Sequence, residues 1–242
     1  VRARLDRKPV VVVSAMGKTT NKLLEIARLA VEGNRDKALA QLADLETFHK
    51  KESGAGLDGV VSEHFAELAE LVKGLSVLGE LTPRALDSVA AFGERLSSLV
   101  VAERFRQSGM DATHVDSRSV IVTDGRFTQA APNFPETYSR LAAKVAPLAE
   151  KQVVVMGGFI GATPEGVTTT LGRGGSDFSA SIIGAGIGAD EIQIWTDVDG
   201  MLTCDPRVLS GGHRVRSCSF AEAAELAYFG AKVLHPATVV PA

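Results

Sequence analysis

Gln152-Val153-Val154-Val155-Met156-Gly157-Gly158 is the stretch on which the fold turns. Its apolar residues run without alternation, which calls for cover on both faces and predicts a strand inside a parallel sheet flanked by helices. The residues around it support this. Pro135 to Glu150 ahead of it is helical in pattern, and Phe159 to Leu171 behind it reads as a hairpin around Thr163-Pro164-Glu165-Gly166, with Val167-Thr168-Thr169-Thr170 as the β-prone return arm. The turn Leu171-Gly172-Arg173-Gly174-Gly175-Ser176-Asp177 then leads into a helix of small residues over Ser176 to Gly186.

A second continuous run, Val10-Val11-Val12-Val13, predicts another strand of the same kind. It ends at Ser14-Ala15-Met16-Gly17, and Thr20 or Asn21 is placed to cap a helix beginning near Lys22. Polar groups thus collect at the carboxyl end of a strand, the ligand side of such sheets. Residues from about 22 to 110 form a largely helical part. Leu39, Leu42, Leu45 and Phe48 repeat at helical spacing, as do Val61, Phe65, Leu68 and Val72, and Ser53 to Gly59 forms a loop between them. Thr82 caps a further helix with Pro83 at its first position and Leu86, Val89, Ala90, Leu96 and Val100 along its stripe. Short strands are expected at Thr113 to Asp116, Val120 to Thr123 and Glu191 to Trp195, with a last helix over Phe220 to Val233 behind a Ser219/Glu222 capping box. Strands alternating with helices indicate a layered α/β/α architecture with a mainly parallel sheet and a helical insertion. A glycine-rich part spans roughly residues 150 to 242.

Composition narrows the function classes. Of 242 residues, 26 are basic and 29 acidic, and no dense basic stripe interleaves with aromatics, so nucleic acid is not an expected partner. Two cysteines, Cys204 and Cys218, are too few for a disulfide framework or a cysteine metal cluster, and no apolar run is long enough to span a bilayer. A reducing cytoplasm is the expected compartment. Charged residues lead straight into Val10, so the chain is expected to begin inside a domain.

The glycine turn is an anion site in kind: glycines allow close backbone approach, and the first amides of a helix are free donors. Arg173 adds a fork of donors matched to carboxylate or phosphate. Ser176 and Asp177 stand at the helix start, where Asp177 either caps the helix or serves the reaction. Gly17-Lys18-Thr19-Thr20 looks like the end of a phosphate loop, but Val12 occupies the position that needs glycine. A second cluster at a strand end, Thr196-Asp197-Val198-Asp199-Gly200, and the bend Asp205-Pro206-Arg207 offer groups for the other end of a nucleotide, or else simple turns. Glu94, in Phe92-Gly93-Glu94-Arg95, either points inward to receive an ammonium group or outward as a surface charge. Lys232 near a helix end either reaches phosphate or answers the helix dipole. His235, before Pro236, reads as structural.

Together these stretches, with Gly158-Phe159-Ile160-Gly161 and Phe229-Gly230-Ala231-Lys232-Val233-Leu234-His235-Pro236, resemble the catalytic domain of aspartate kinase within the amino-acid kinase fold, in order and spacing from Val10 to Ala237. The resemblance implies transfer of the ATP γ-phosphoryl group to the side-chain carboxylate of L-aspartate, with Mg2+ held largely by ATP and water. It places Ser14, Thr20, Glu94, Phe159, Arg173 and Asp177 on the amino-acid side, with Arg173 gripping a carboxylate and Glu94 facing the ammonium; Arg173 and Asp177 are the candidate catalytic pair. It places Gly174, Gly175, Ser176, Thr196, Asp197, Arg207 and Lys232 on the nucleotide side, and it implies a possible homo-oligomer. Family members carry a strand with Lys-Phe-Gly-Gly, absent before Val10, and many carry tyrosine where Leu202 stands. The expectation is therefore a partial catalytic domain, with activity of the isolated chain left open. The alternatives are a kinase for a related carboxylate, carbamate or nucleotide monophosphate, and a noncatalytic nucleotide-binding or assembly module.

Overall fold

The computed structural model describes residues 1–196, 200–204, 211–228 and 236–241. Its centre is a parallel sheet of three strands, β1 (Val10–Val13), β2 (Ala112–Val115) and β3 (Val153–Gly157), in the order β1-β3-β2. Every residue of β3 is buried, as its uninterrupted apolar run requires. Val10 pairs with Val154 on one side and Thr113 with the same Val154 on the other. The valines of β1 are only partly buried, as fits its place at the edge of the sheet.

The faces of β3 are read off its alternation. Val153 and Val155 pack, with Val11, against Ala102, Val101 and Phe105 of α5 (Phe92–Gln107). Val154 and Met156 turn to the other side, against Leu141 of α6 (Phe134–Lys144) and Ile182 and Ile183 of α8 (Gly175–Ile187). The result is helix, sheet, helix in three layers. The helical part forms a core of its own: Leu23 and Ile26 of α1 (Thr19–Val31), Leu42 and Leu45 of α2 (Arg35–Ser53), Phe65 and Leu68 of α3 (Asp58–Leu78), and Val89 of α4 (Pro83–Ala90). Thr82 caps α4 by accepting from the Ala85 amide at 3.1 Å, with Pro83 at the first position.

The hairpin is β4 (Ile160–Ala162) against β5 (Thr168–Thr170), antiparallel, with Ile160 opposite Thr170. The Ser219/Glu222 box closes as expected at the start of α9 (Phe220–Tyr228): the Ser219 amide donates to Glu222 Oε2 at 2.7 Å and the Glu222 amide to Ser219 Oγ at 3.2 Å. No helix among the described residues is long and apolar enough to cross a membrane.

Five expectations need correction. The helix capped by Thr82 does not run through to Val100: α4 ends at Ala90 and α5 begins at Phe92. The first helix starts at Thr19, not Lys22, and neither Thr20 nor Asn21 caps it; the Thr19 hydroxyl donates to Met16 O at 2.6 Å and tightens the turn instead. Val120 to Thr123 is not a strand but makes isolated bridges, Val122 to Ala162 and Thr123 to Pro132, because Ser117–Ser119 forms a 3-10 turn that delivers it to the hairpin rather than to the sheet. The helix over Pro135 to Glu150 breaks at Val145 and resumes as α7 (Ala146–Ala149), where Pro147 has no amide to continue the ladder. Glu191 to Trp195 joins no ladder among the described residues; its Ile192 instead packs where Gly184 leaves α8 bare, at 2.6 Å from the position a Cβ there would take.

Met156 is wholly buried, whereas Leu78 at the end of α3 is 75% exposed. Met156→Ala is expected to lower unfolding stability by about 2–5 kcal/mol and Leu78→Ala by less than about 0.5 kcal/mol, measured by urea denaturation. Equal effects at the two positions would contradict the layer assignment.

Candidate active site

The carboxyl ends of β1 and β3 meet the start of α8 at two consecutive glycines. The Gly158 amide donates to Val13 O at 2.8 Å, which locks the two strand ends together. Neither glycine has room for a side chain. A Cβ on Gly157 would stand 2.9 Å from the carbonyl oxygen of Glu94, and one on Gly158 would stand 2.7 Å from Cα of Ser176. Backbone of α5 and backbone of α8 therefore both press on the end of the central strand, from opposite sides.

Phe159 follows with φ of 66°, a left-handed conformation unusual for an aromatic residue. Its amide donates to Ser179 Oγ at 2.8 Å, and that hydroxyl donates to Gly175 O at 2.8 Å, so the hairpin is pinned to α8. The Phe159 ring covers Gly175, where a Cβ would be 2.7 Å from the ring. Gly172 and Gly174 have φ of 77° and 70°, which gives the turn its sharp entry into the helix. Gly174 is the residue before the first turn of α8, and no side chain caps that end. Asp177 does not cap it. Its carboxyl is half-buried, and burial pushes it above the ordinary carboxylate range. Arg173 projects to the exposed side of the turn.

Glu94 points inward. It is 4% exposed, while the neighbouring Arg95 turns out to form a paired bond with Glu67 at 3.1 and 2.8 Å. The Ala15 amide donates to Glu94 Oε1 at 3.1 Å, and Oε2 is buried with no hydrogen-bond partner. Burial pushes the carboxyl up to about 7, against the smaller opposing effect of the Ala15 amide. Gly93 is needed for packing, since a Cβ there would meet Ala15 Cβ at 2.7 Å with the Thr20 hydroxyl 3.7 Å away. Ser14 is exposed after β1, and its carbonyl accepts from Ser97 Oγ at 2.8 Å. Ser14, Thr20, Glu94, Phe159 and the turn from Arg173 to Asp177 thus belong to one contiguous region. Thr196 is exposed in the chain after α8, and Asp197, Arg207, Lys232 and His235 lie outside the described residues.

Four polar residues of the region escaped the sequence reading: Asp87, Ser97, Ser117 and Ser179. Ser117 donates to Gly157 O at 2.5 Å and so fixes the glycine pair from a third side. Asp87 had a signal. It lies seven residues before Glu94 in a stretch that reads as one helical stripe; the structure divides that stretch into α4 and α5 and buries both carboxylates.

Chemically, the region has two halves. One holds a buried carboxylate with an oxygen in want of a donor. The other is a donor-rich turn that ends in an uncapped helix start, which favours an anion.

Because the Glu94 carboxyl titrates near 7 in the folded protein, above its ordinary value of 4.5, the folded state keeps a proton that the unfolded chain has already released. Stability from this group is complete below about pH 4.5, falls as pH rises toward 7 and is level beyond, by up to about 3 kcal/mol. Glu94→Gln should remove that component from a plot of unfolding free energy against pH in the unliganded protein; an unchanged slope between pH 5 and 7 would refute it.

The chain is similar to known proteins in sequence and in fold. The model of the "Amino acid kinase family" matches residues 2–242. Aspartokinase 3, chloroplastic, of Arabidopsis thaliana is 42% identical over 98% of this chain and 44% of its own length. Lysine-sensitive aspartokinase 3 of Escherichia coli (strain K12) is 37% identical over 96% of this chain and 52% of its own length. The crystal structure of E. coli aspartokinase III in complex with aspartate and ADP, in the R-state, superposes with a TM-score of 0.87 at 33% identity, covering 99% of this chain and 56% of that one. The chain spans about half the length of the curated relatives it matches. In sequence and in its layered α/β architecture alike, the chain belongs to the amino acid kinase family.

Proposed function

We propose that the protein transfers the γ-phosphoryl group of ATP to the side-chain carboxylate of L-aspartate, giving 4-phospho-L-aspartate and ADP. The observation that carries this reading is the buried, unpartnered Oε2 of Glu94, on the helix that meets Gly157, together with the uncapped start of α8 that meets Gly158. An acceptor that bears an ammonium and a carboxylate answers both halves. An N-acylated acceptor has no ammonium and would leave Glu94 buried without a counter-charge, which disfavours acetylglutamate as the acceptor. The relative solved with aspartate and ADP lends the substrate pair its support.

In this mechanism Glu94 accepts from the ammonium, and the Arg173 guanidinium grips a carboxylate through paired donors. Ser14, Thr20 and Phe159 line the amino-acid side. The backbone of Gly174 and Gly175 and the start of α8 at Ser176 face phosphate, with Thr196, Asp197, Arg207 and Lys232 assigned to the nucleotide by resemblance alone. The side-chain carboxylate oxygen of aspartate attacks phosphorus as the bond to the ADP oxygen breaks, so no protein nucleophile is required. The chain's part is alignment and neutralisation of charge on the moving group. Asp177, half-buried at the helix start, organises the site. The family resemblance implies Mg2+ carried by ATP, where it would screen the phosphates and keep water as most of its shell.

Two measurements on the full-length protein test the reading. Arg173→Ala should raise KM for L-aspartate about 10- to 100-fold while KM for ATP changes less than about threefold. Equal loss of both with the fold intact would contradict the role of Arg173. Glu94 must also release its proton to receive the ammonium, so KM for L-aspartate should fall as pH rises from about 6 to 8 and level off once Glu94 is ionised. A flat profile would remove Glu94 from the amino-acid side.

A further inference from the structure

We propose that Asp87 is a positioning residue for the aspartate side of the site: its buried carboxylate fixes the root of the turn that carries Arg173. The inference rests on the reading of Arg173 given above. Asp87 lies on α4, outside the glycine turn, and is 1% exposed. No basic side chain bonds to it among the described residues. Its bonds run instead to two other segments. Oδ2 accepts from the Thr170 amide and from the Thr128 amide, both at 2.9 Å, and Oδ1 accepts from Thr170 Oγ1 at 2.7 Å.

Both partners stand at decisive places. Thr170 is the last residue of β5, immediately before Leu171-Gly172-Arg173. Thr128 has φ of 71°, a left-handed conformation that a β-branched residue holds only where its surroundings over-determine it. The loop around Thr128 is then applied to the turn: the Ala130 amide donates to Thr170 O at 2.9 Å, and Thr128 O lies 3.0 Å from where a Cβ on Gly172 would stand. The Leu171 amide donates to Phe159 O at 2.9 Å, which ties the same root to Phe159. One carboxylate thereby joins α4, the 124–131 loop and the entry to the turn.

The far end of the turn is held by other means. α8 is fixed by Ile182 and Ile183 in the core, by Ser179 on the Phe159 amide and by the contact of Gly158 with Ser176. Arg173 sits on the short bridge between these two anchors. Removing Asp87 frees the Arg173 end and leaves the helix start, the nucleotide side, in place. An apolar side chain at 87 leaves the two amides without their acceptor. Asparagine does not, since its Oδ1 can accept both amides while its Nδ2 donates to Thr170 Oγ1, which accepts as readily as it donates.

The test is steady-state kinetics on the full-length protein with L-aspartate and ATP varied separately, joined to amide hydrogen exchange of the segment 171–175. Asp87→Ala is expected to raise KM for L-aspartate at least about tenfold with KM for ATP within about twofold, and to speed exchange in that segment. Asp87→Asn should stay within about threefold of wild type on both substrates, with exchange unchanged. Thr170→Val keeps the backbone bonds and removes one of three donors, so a readout survives if Asp87→Ala does not fold; it should raise KM for L-aspartate about threefold and leave ATP alone. The proposal is overturned if Asp87→Ala weakens both substrates equally or neither, if Asp87→Asn behaves like Asp87→Ala, or if Thr170→Val is silent. Should the wild-type protein phosphorylate no aspartate, the reaction assigned above fails, while the exchange data still decide whether Asp87 holds the turn.

Discussion

Steric contact at Gly157 and Gly158 governs the rest of the molecule. The end of a central strand is normally fenced by its own side chains, and here that fence is absent for two residues in succession. On one side the backbone of α5 comes close enough to bring Glu94 under the strand ends. On the other, the first turn of α8 comes close enough to bring Ser176 onto the strand. Any side chain at either position would separate the two helices and with them the two halves of the site.

The electrostatic design follows from that packing. Glu94 is drawn into a place where water does not solvate it and where protein supplies one donor for two oxygens. The start of α8 is the complementary deficit: no side chain caps it, and of its first amides Gly175 is taken up by the Gly172 carbonyl. Each half is unfavourable for the empty protein, and each favours a ligand of the opposite character. A zwitterionic amino acid beside a polyanionic phosphate satisfies both, whereas an apolar filling of the same space would satisfy neither. The site is thus built at some expense of stability, in a domain whose stability comes from the valines of β3 and the separate core of the helical block.

Where one physical term dominated, the sequence was readable. The continuous valine runs, the Thr82-Pro83 cap, the hairpin around Thr163 to Gly166 and the Ser219/Glu222 box each depend on local chemistry, and each is present. The sharp glycine turn into α8 was legible for the same reason. Orientation was not. Glu94 and Arg95 are adjacent and equally charged in magnitude, and only the packing of Gly93 on Ala15 turns one in and the other out. Asp87 was passed over because a charged residue on a helix is ordinarily at the surface, and its three donors come from residues far along the chain. Ile192 and Ile194 have strand-like alternation, but a strand needs an edge to pair with, and that condition is set by the fold. Thr20 as a cap failed by two residues, since the helix already starts at Thr19, whose hydroxyl closes the turn on Met16.

The parallel sheet also fixes the order in which the molecule can assemble. Val10 finds its partner Val154 only after the whole helical block has intervened, and no hairpin can shorten that path. Helices α1 to α3, by contrast, meet their neighbours within a few dozen residues and share a core that excludes the sheet. During synthesis the helical block can therefore collapse early, while β1 waits with an unpaired edge until β3 emerges. The carboxyl ends of those two strands are where α5 with Glu94 and the start of α8 meet Gly157 and Gly158, so the candidate site needs β3 and the segment after it to be complete. Any ligand that binds only the closed sheet would draw folding to completion.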